Sequence, residues 1–311
     1  MTIQTTPKAD STQPNRTTQP NDEVGSRSQA IFKPEGNAFR PTGLAAGPWY
    51  EGSQHGGAML GLLARAVERH PSERPMQVVR LTVDLMRAAP MEPVTTECRT
   101  YRQSRSLDIV EASLLAGGKE FARASAMRFV LNPLPVPEDF RGEAPRLIPP
   151  ASVEAETSAL GVEDREAFHQ ALDIRPTPGF ELPVVWLRLR LPLVEGEEPS
   201  PLVRVATAAD FTYSMPTMRK IMSDPEGFDH EAFVSINPDI SLNLHRPLLG
   251  EWVGLDCRVF YAEQGAGSAS AQIHDESGVL GHASQSLLVR DASEQTAVWK
   301  DSQSKAGGKA G

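Results

Sequence analysis

Two stretches of this chain can be laid on each other without a gap. They are "TVDLMRAAPMEPVTTECRTY", beginning at Thr82, and "SLNLHRPLLGEWVGLDCRVF", beginning 159 positions later at Ser241. Leu85 then meets Leu244, Arg87 meets Arg246, Glu92 meets Glu251, Val94 meets Val253, Cys98 meets Cys257 and Arg99 meets Arg258. The same offset goes on to pair Ala112 with Ala271, Ala124 with Ala283 and Ser125 with Ser284. Single matches arise by chance, but one offset held across a whole segment marks an internal duplication. The fold must therefore be one that two copies of a single unit can build.

Each unit reads as a helix followed by an antiparallel meander. In "VVRLTVDLM", Val79, Leu81, Val83 and Leu85 alternate with Arg80, Thr82 and Asp84, the period of a half-buried strand. "PVTTECRTYRQ", "LDIVEASLLA" and "EFARASAMRFV" follow, separated by the turns "SRS" and "GGK". "ISLNLHRPL", "WVGLDCRVFYAE", "GSASAQIHD" and "GHASQSLLVR" repeat the series. The helix ahead of the first meander, "GGAMLGLLARAVERH", is apolar almost all round, which predicts burial. The helix ahead of the second is less distinct and is placed over "DFTYSMPTMRKIM". A buried helix wrapped by a long antiparallel sheet is a hotdog unit. The predicted class is therefore α+β, a double hotdog whose two sheets continue edge to edge.

The predicted layout is a polar, disordered tail over residues 1–30, a first repeat over 31–132 and a Pro- and Glu-rich connector over 133–180. A second repeat over 181–290 and a disordered tail over 291–311 complete it. A short helix, "EDREAFHQALDI", is expected inside the connector. A net charge of −9 argues against nucleic acid as a partner. The start lacks a secretory signal, no apolar run reaches membrane-spanning length, and Cys98 and Cys257 form no CxxC pair. These features predict a soluble cytoplasmic protein that does not engage a membrane and has two small buried cysteines. The seven histidines show no ligand spacing, so no metal is expected.

Two places invite chemistry. In "QHGGAML", Gly56 and Gly57 leave the first N–H groups of a helix open to a ligand oxygen, and the dipole there favours a developing oxyanion. The alternative is that the glycines only let the helix pass close to the sheet. His55 beside them suits a cap or a packing residue better than a base. In "ATAADFTYSM", Asp210 reads as the N-cap of the second helix or as a carboxylate that orients water. Asn237 and Gln285 are the candidate helpers. Gln285 shares its strand face with Leu287 and Val289, where an amide is costly without a partner.

The stretches "GPWYEGSQHGGAMLGLLARAVE", "VRLTVDLMRAAP", "SPLVRVATAADF", "FVSINPDISLNLHRPLLGEWVGLDC" and "DESGVLGHASQSLLV" resemble the acyl-CoA thioesterase II (TesB-like) branch of the thioesterase superfamily. They run in order through most of residues 39–290. The resemblance implies a double hotdog and hydrolysis of acyl-CoA with neither cofactor nor covalent intermediate. It also implies an Asp, a Thr and a Gln in the second half that order the attacking water. Asp210 and Gln285 fall on the first and last of these, and Asn237 stands where the Thr is expected. His55, Gly56 and Gly57 are then expected to bind substrate, with the glycine N–H groups polarising its carbonyl. A homodimer is implied as well.

Overall fold

The computed structural model describes residues 28–47, 52–140, 150–152, 166–176, 184–223 and 233–291. A short hairpin, β1 (Phe32–Glu35) and β2 (Ala38–Pro41), comes first and is followed by helix α1 (Gly56–Arg69). The first meander is β3 (Gln77–Leu85), β4 (Val94–Gln103), β5 (Leu107–Ala116) and β6 (Lys119–Phe129). Strands β7 (Leu172–Pro176) and β8 (Val184–Leu189) then lead to helices α2 (Pro201–Ala209) and α3 (Ser214–Ser223). The second meander is β10 (Asp239–Leu244), β11 (Trp252–Tyr261), β12 (Ala266–Asp275) and β13 (Gly278–Asp291), preceded by the short β9 (Phe233–Ile236).

All these strands join one antiparallel sheet in the order β1-β2-β4-β5-β6-β3-β10-β13-β12-β11-β8-β7, with β9 on β13. The duplication is written into its hydrogen bonding. β5 and β12 cover matching positions at the 159-residue offset, and the register slip at Leu114/Leu115 recurs at Ile273/His274. The halves meet where β3 pairs with β10, and there Thr82 lies opposite Ser241. These two are each other's counterparts, so the pseudo-two-fold axis passes between them. Ser241 Oγ donates to Thr82 Oγ1 across it at 3.1 Å. The expected continuous sheet is present. Its outer edges are short and carry Lys33 and Pro34 on one side, Arg175 and Pro176 on the other, residues that blunt a sheet edge.

Helix α1 is buried as its composition predicts, with ten of its fourteen residues in the core. Met59, Leu60, Leu62, Leu63 and Val67 are each at most 3% exposed. At 1.5–3 kcal/mol per large side chain, this set contributes a gross stabilisation of about 10 kcal/mol. The helix stops at His70 because Pro71 cannot continue it, and the His70 N–H closes the last turn on Ala66 O. Helix α2 runs antiparallel to α1. Thr207, near its C-terminal end, faces Gly57 and Gly61, and Ser200 at its start donates to Glu68 near the end of α1. The two glycines permit this approach. A Cβ on Gly57 would lie 2.9 Å from Thr207 O, and one on Gly61 would lie 2.8 Å from Thr207 Cγ2.

Helix α2 was not foreseen. It is the second-half helix that packs on β8, β10 and β11, as α1 packs on β3 to β6. Its N-cap is Ser200, whose Oγ accepts from Val203 N at 3.1 Å. Asp210 therefore does not begin the second hotdog helix; it follows the last residue of α2 and opens a 3-10 turn, Asp210–Thr212, that leads to α3. The helix expected in the connector is also replaced. Phe168–Ala171 form one 3-10 turn and Leu172 begins β7, while Glu163, Asp164 and Arg165 lie outside the described residues. The predicted tails lie largely outside them too, although Ser28 donates to Glu166 and Ala30 is buried. Cys257 is buried as expected, whereas Cys98 is only partly so.

Candidate active site

The N-terminal end of α1 and the C-terminal end of α2 meet beneath the sheet, and Asp210 lies between them. Its carboxylate is 6% exposed and has three partners. Gly57 N–H donates to Oδ2 at 2.7 Å, His55 Nδ1 lies 2.9 Å from the same oxygen, and Asn237 Nδ2 donates to Oδ1 at 2.8 Å. His55 and Gly57 belong to the first half of the chain, Asn237 to the second. Contact with a carboxylate places a proton on His55 Nδ1, so that nitrogen cannot also accept from Gly57 N–H at 3.0 Å. The glycine amide therefore belongs to Asp210.

Local structure fixes each participant. His55 is the N-cap of α1, and its ring lies between those of Phe168 and Phe211, with centroids 4.5 and 5.5 Å away. Gly56 must lack a side chain, because a Cβ there would sit 2.7 and 2.8 Å from the two carboxylate oxygens of Asp210. Asn237 and Pro238 form the bend between β9 and β10, which swings the Asn237 amide onto the carboxylate. Burial alone would push the Asp210 carboxyl up. The adjacent His55, with the Asn237 amide and the Gly57 N–H, more than offsets that and holds it below the ordinary carboxylate range. The positive end of the α1 dipole acts in the same direction.

Gln285 is buried on β13, as the apolar alternation around it predicts. It reaches the Asp210 turn but not the carboxylate. Its Nε2 lies 3.3 Å from Ala209 O and 3.4 Å from Asp210 O, so it caps the end of α2. Its Oε1 and the hydroxyl of the fully buried Thr212 have no hydrogen-bond partner among the described residues. Thr212 was missed in the sequence. Only the position of the 3-10 turn, which no short motif announces, brings it to this place.

His55, Gly56, Gly57, Asp210 and Asn237 thus come together at one point, with Gln285 beneath it. One expectation changes. The Gly57 N–H assigned to a substrate carbonyl is already bound to Asp210. The cluster offers a buried anionic carboxylate, one helix N-terminus, one imidazole and two unfilled polar groups, the equipment for orienting a water molecule beside an electrophilic carbonyl.

Comparison with known proteins bears on the fold and the family. Among solved structures, the chain resembles a hot dog fold protein of unknown function from Alicyclobacillus acidocaldarius at 14% identity and a TM-score of 0.62, covering 84% of this chain and 97% of that one. It resembles the acyl-CoA thioesterase II TesB2 of Mycobacterium marinum at 18% identity and a TM-score of 0.55, covering 83% and 93%. The tesB protein of Mycobacterium avium subs paratuberculosis aligns at 16% identity and a TM-score of 0.57, covering 83% and 95%. These likenesses show the double hotdog fold. No curated protein matches the sequence. No described helix is long and apolar enough to cross a membrane. The family profile of the acyl-CoA thioesterase N-terminal domain matches residues 45–129, and that of the C-terminal domain matches residues 146–289. The chain therefore belongs to the acyl-CoA thioesterase family, with both of the family's domains in tandem.

Proposed function

We propose that this protein hydrolyses an acyl-CoA thioester to the free acid and CoA, with Asp210 assisting the attack of water. The observation that carries this reading is a buried Asp210 carboxylate held anionic by donors from both halves of the chain. Taking a carboxylate out of water is costly even where donors offset it, and groups held in this way concentrate at functional sites. In the proposed reaction Asp210 takes a proton from water as the water oxygen bonds to the thioester carbon. The negative charge leaves the carboxylate and appears on the carbonyl oxygen. The N-terminus of α1, which stabilised the first charge, lies beside the second. Collapse of the tetrahedral intermediate breaks the carbon–sulfur bond, and the proton on Asp210 passes to the departing sulfur. The balance is one water consumed, with one carboxylic acid and one thiol formed, and no cofactor takes part.

In this reading Asn237 keeps the carboxylate aligned, while Gln285 Oε1 and Thr212 Oγ1 hold the water. The low proton affinity of Asp210 makes it a weak base, so positioning of the water carries much of the rate. Thiol release from acyl-CoAs of short to long chain, measured for the wild type beside Asp210→Asn, tests the reading. Turnover by the wild type and a loss of about 10²–10⁴-fold in the variant is the expected result. Equal trace release by both proteins would leave a binding protein without chemistry.

A further inference from the structure

The duplication provides a comparison inside one molecule. Met86 N–H donates to Phe121 O at 3.1 Å, and 159 positions later His245 N–H donates to Leu280 O at 3.0 Å. The loops that follow β3 and β10 therefore hold equivalent places at opposite ends of the sheet. In the second half Arg246 is fully engaged. Its two Nη atoms donate to the Asp275 carboxylate, and Nη2 also donates to Gly278 O at 2.8 Å. The same offset puts Ala116 in the place of Asp275 and Lys119 in that of Gly278. Arg87, the counterpart of Arg246, thus lacks the carboxylate and has a second cation beside it.

Both cations are exposed and lean on one ring. Arg87 Cζ lies 5.9 Å and Lys119 Nζ 5.6 Å from the Phe121 centroid, and neither forms an ion pair among the described residues. The adjacent carboxylate, Glu120, is taken by Arg123 at 2.7 and 2.9 Å and by Ser113. Two like charges about one ring repel, and an anion between them relieves that. The loop carrying Arg87 also borders the Asp210 cluster. Leu85 N–H donates to Pro238 O at 2.7 Å, next to Asn237, and Ala89 O accepts from Gln54 N–H at 2.8 Å, next to His55. Arg87 is midway between these contacts, at most about 7 Å of chain from either. The uncompensated cations therefore stand at the end of the sheet that holds Asp210, and the neutralised arginine stands at the other. In a chain of net charge −9 such a pair is a local inversion of sign that draws anions to this end. A guanidinium fork and an ammonium are the groups that grip phosphate.

We propose that Arg87 and Lys119 take the phosphate groups of the substrate's CoA moiety while its thioester lies at Asp210, an inference that rests on the substrate being an acyl-CoA. The test is calorimetric titration of CoA into the full-length protein, with pantetheine, which has no phosphate, and phosphopantetheine as comparators. CoA should bind saturably, pantetheine about tenfold or more weaker, and phosphopantetheine in between. The preference should narrow as salt is raised. Arg87→Gln with Lys119→Gln should bring CoA down to the affinity of pantetheine. Arg102→Gln with Arg105→Gln removes the same charge from the hairpin at the far end of α1, and should leave the preference intact. No saturable binding of CoA, equal binding of CoA and pantetheine, or a preference that survives the Arg87 and Lys119 substitutions would each overturn the proposal. Phosphopantetheine binding as tightly as CoA would overturn it in favour of the arm of a carrier protein. The titration needs no turnover and is repeated on Asp210→Asn. A preference for CoA in a protein that releases no thiol sinks the hydrolysis reading alone. Hydrolysis by a wild type that binds CoA and pantetheine equally sinks this proposal alone.

Discussion

Replacing Gly56 with Ala separates two accounts of why a glycine stands there. If Gly56 were merely a permissive residue at a helix start, alanine would stabilise the protein by about 0.4–1 kcal/mol through the unfolded chain, since Gly56 has no positive φ to protect. In the structure the new Cβ would lie 2.7 Å from Asp210 Oδ2 and 2.8 Å from Oδ1. An ordinary contact starts near 3.4 Å, so the carboxylate must retreat by about 0.7 Å. That movement stretches the 2.7 Å bond from Gly57 N–H to about 3.4 Å, where most of its strength is lost, and disturbs the 2.8 Å bond from Asn237. A hydrogen bond to a charged group contributes about 1.5–3 kcal/mol, so losing one and weakening another outweighs the gain in propensity by about 1–3 kcal/mol. In a domain of this size that lowers the melting temperature by roughly 2–12 °C. In the proposed reaction, a displacement approaching 1 Å in the Asp210 carboxylate should also cut kcat about 10²-fold. Thermal unfolding and thiol release read the two effects on one preparation. A Gly56→Ala protein that melts higher and keeps its rate would refute the reasoning, because the carboxylate would then not be lodged where the geometry puts it.

Other outcomes follow from the same contacts. Asn237→Asp keeps the shape but sets a second carboxylate against Asp210 Oδ1, so it should lower stability at neutral pH by about 2–4 kcal/mol and cost more activity than Asn237→Ala; denaturant midpoints and rates for the pair check this. The Asp210 carboxyl is held below its ordinary 3.8, so its stabilisation is complete above that value and is lost as the pH falls through the lower folded value. Asp275, shifted downward by Arg246 and two backbone N–H groups against the effect of burial, contributes in the same window. The acid slope of the urea midpoint should therefore shrink in Asp210→Asn without vanishing. Burial pushes both thiols up, Cys257 the more strongly, so a disulfide reagent should label Cys98 slowly in the native protein and Cys257 only on unfolding.

Much of the fold was legible because it repeats. The offset that pairs Cys98 with Cys257 also aligns β5 with β12, and their slips in register coincide. Helix α1 could be read from its leucines. Helix α2 could not, since Val203, Val205 and Thr207 are β-branched and lower the helix propensity of the segment. The signal that would have found it was Ser200 followed by Pro201, a cap and a first-turn proline. Missing that start moved the helix downstream and made an N-cap of Asp210. The structure brings His55, Gly57, Asp210 and Asn237 to one point, but the sequence hid how they are related. Gly57 and Asp210 are 153 positions apart, and no local spacing shows that one helix's first amide meets the residue that ends another. Gln285 was singled out for its burial, yet its amide serves the α2 carbonyls, a partnership only the packing discloses.

The seam at Thr82 and Ser241 governs how substitutions act on this molecule. In a symmetric assembly of two identical chains, any change appears twice, once at each end, and must be tolerated in both places. Here the two ends are encoded separately, so one can drift while the other is conserved. Only on the axis does that freedom lapse. A substitution at Thr82 meets the side chain of its own counterpart, and the pair must change together or accept a mismatch in the middle of the sheet.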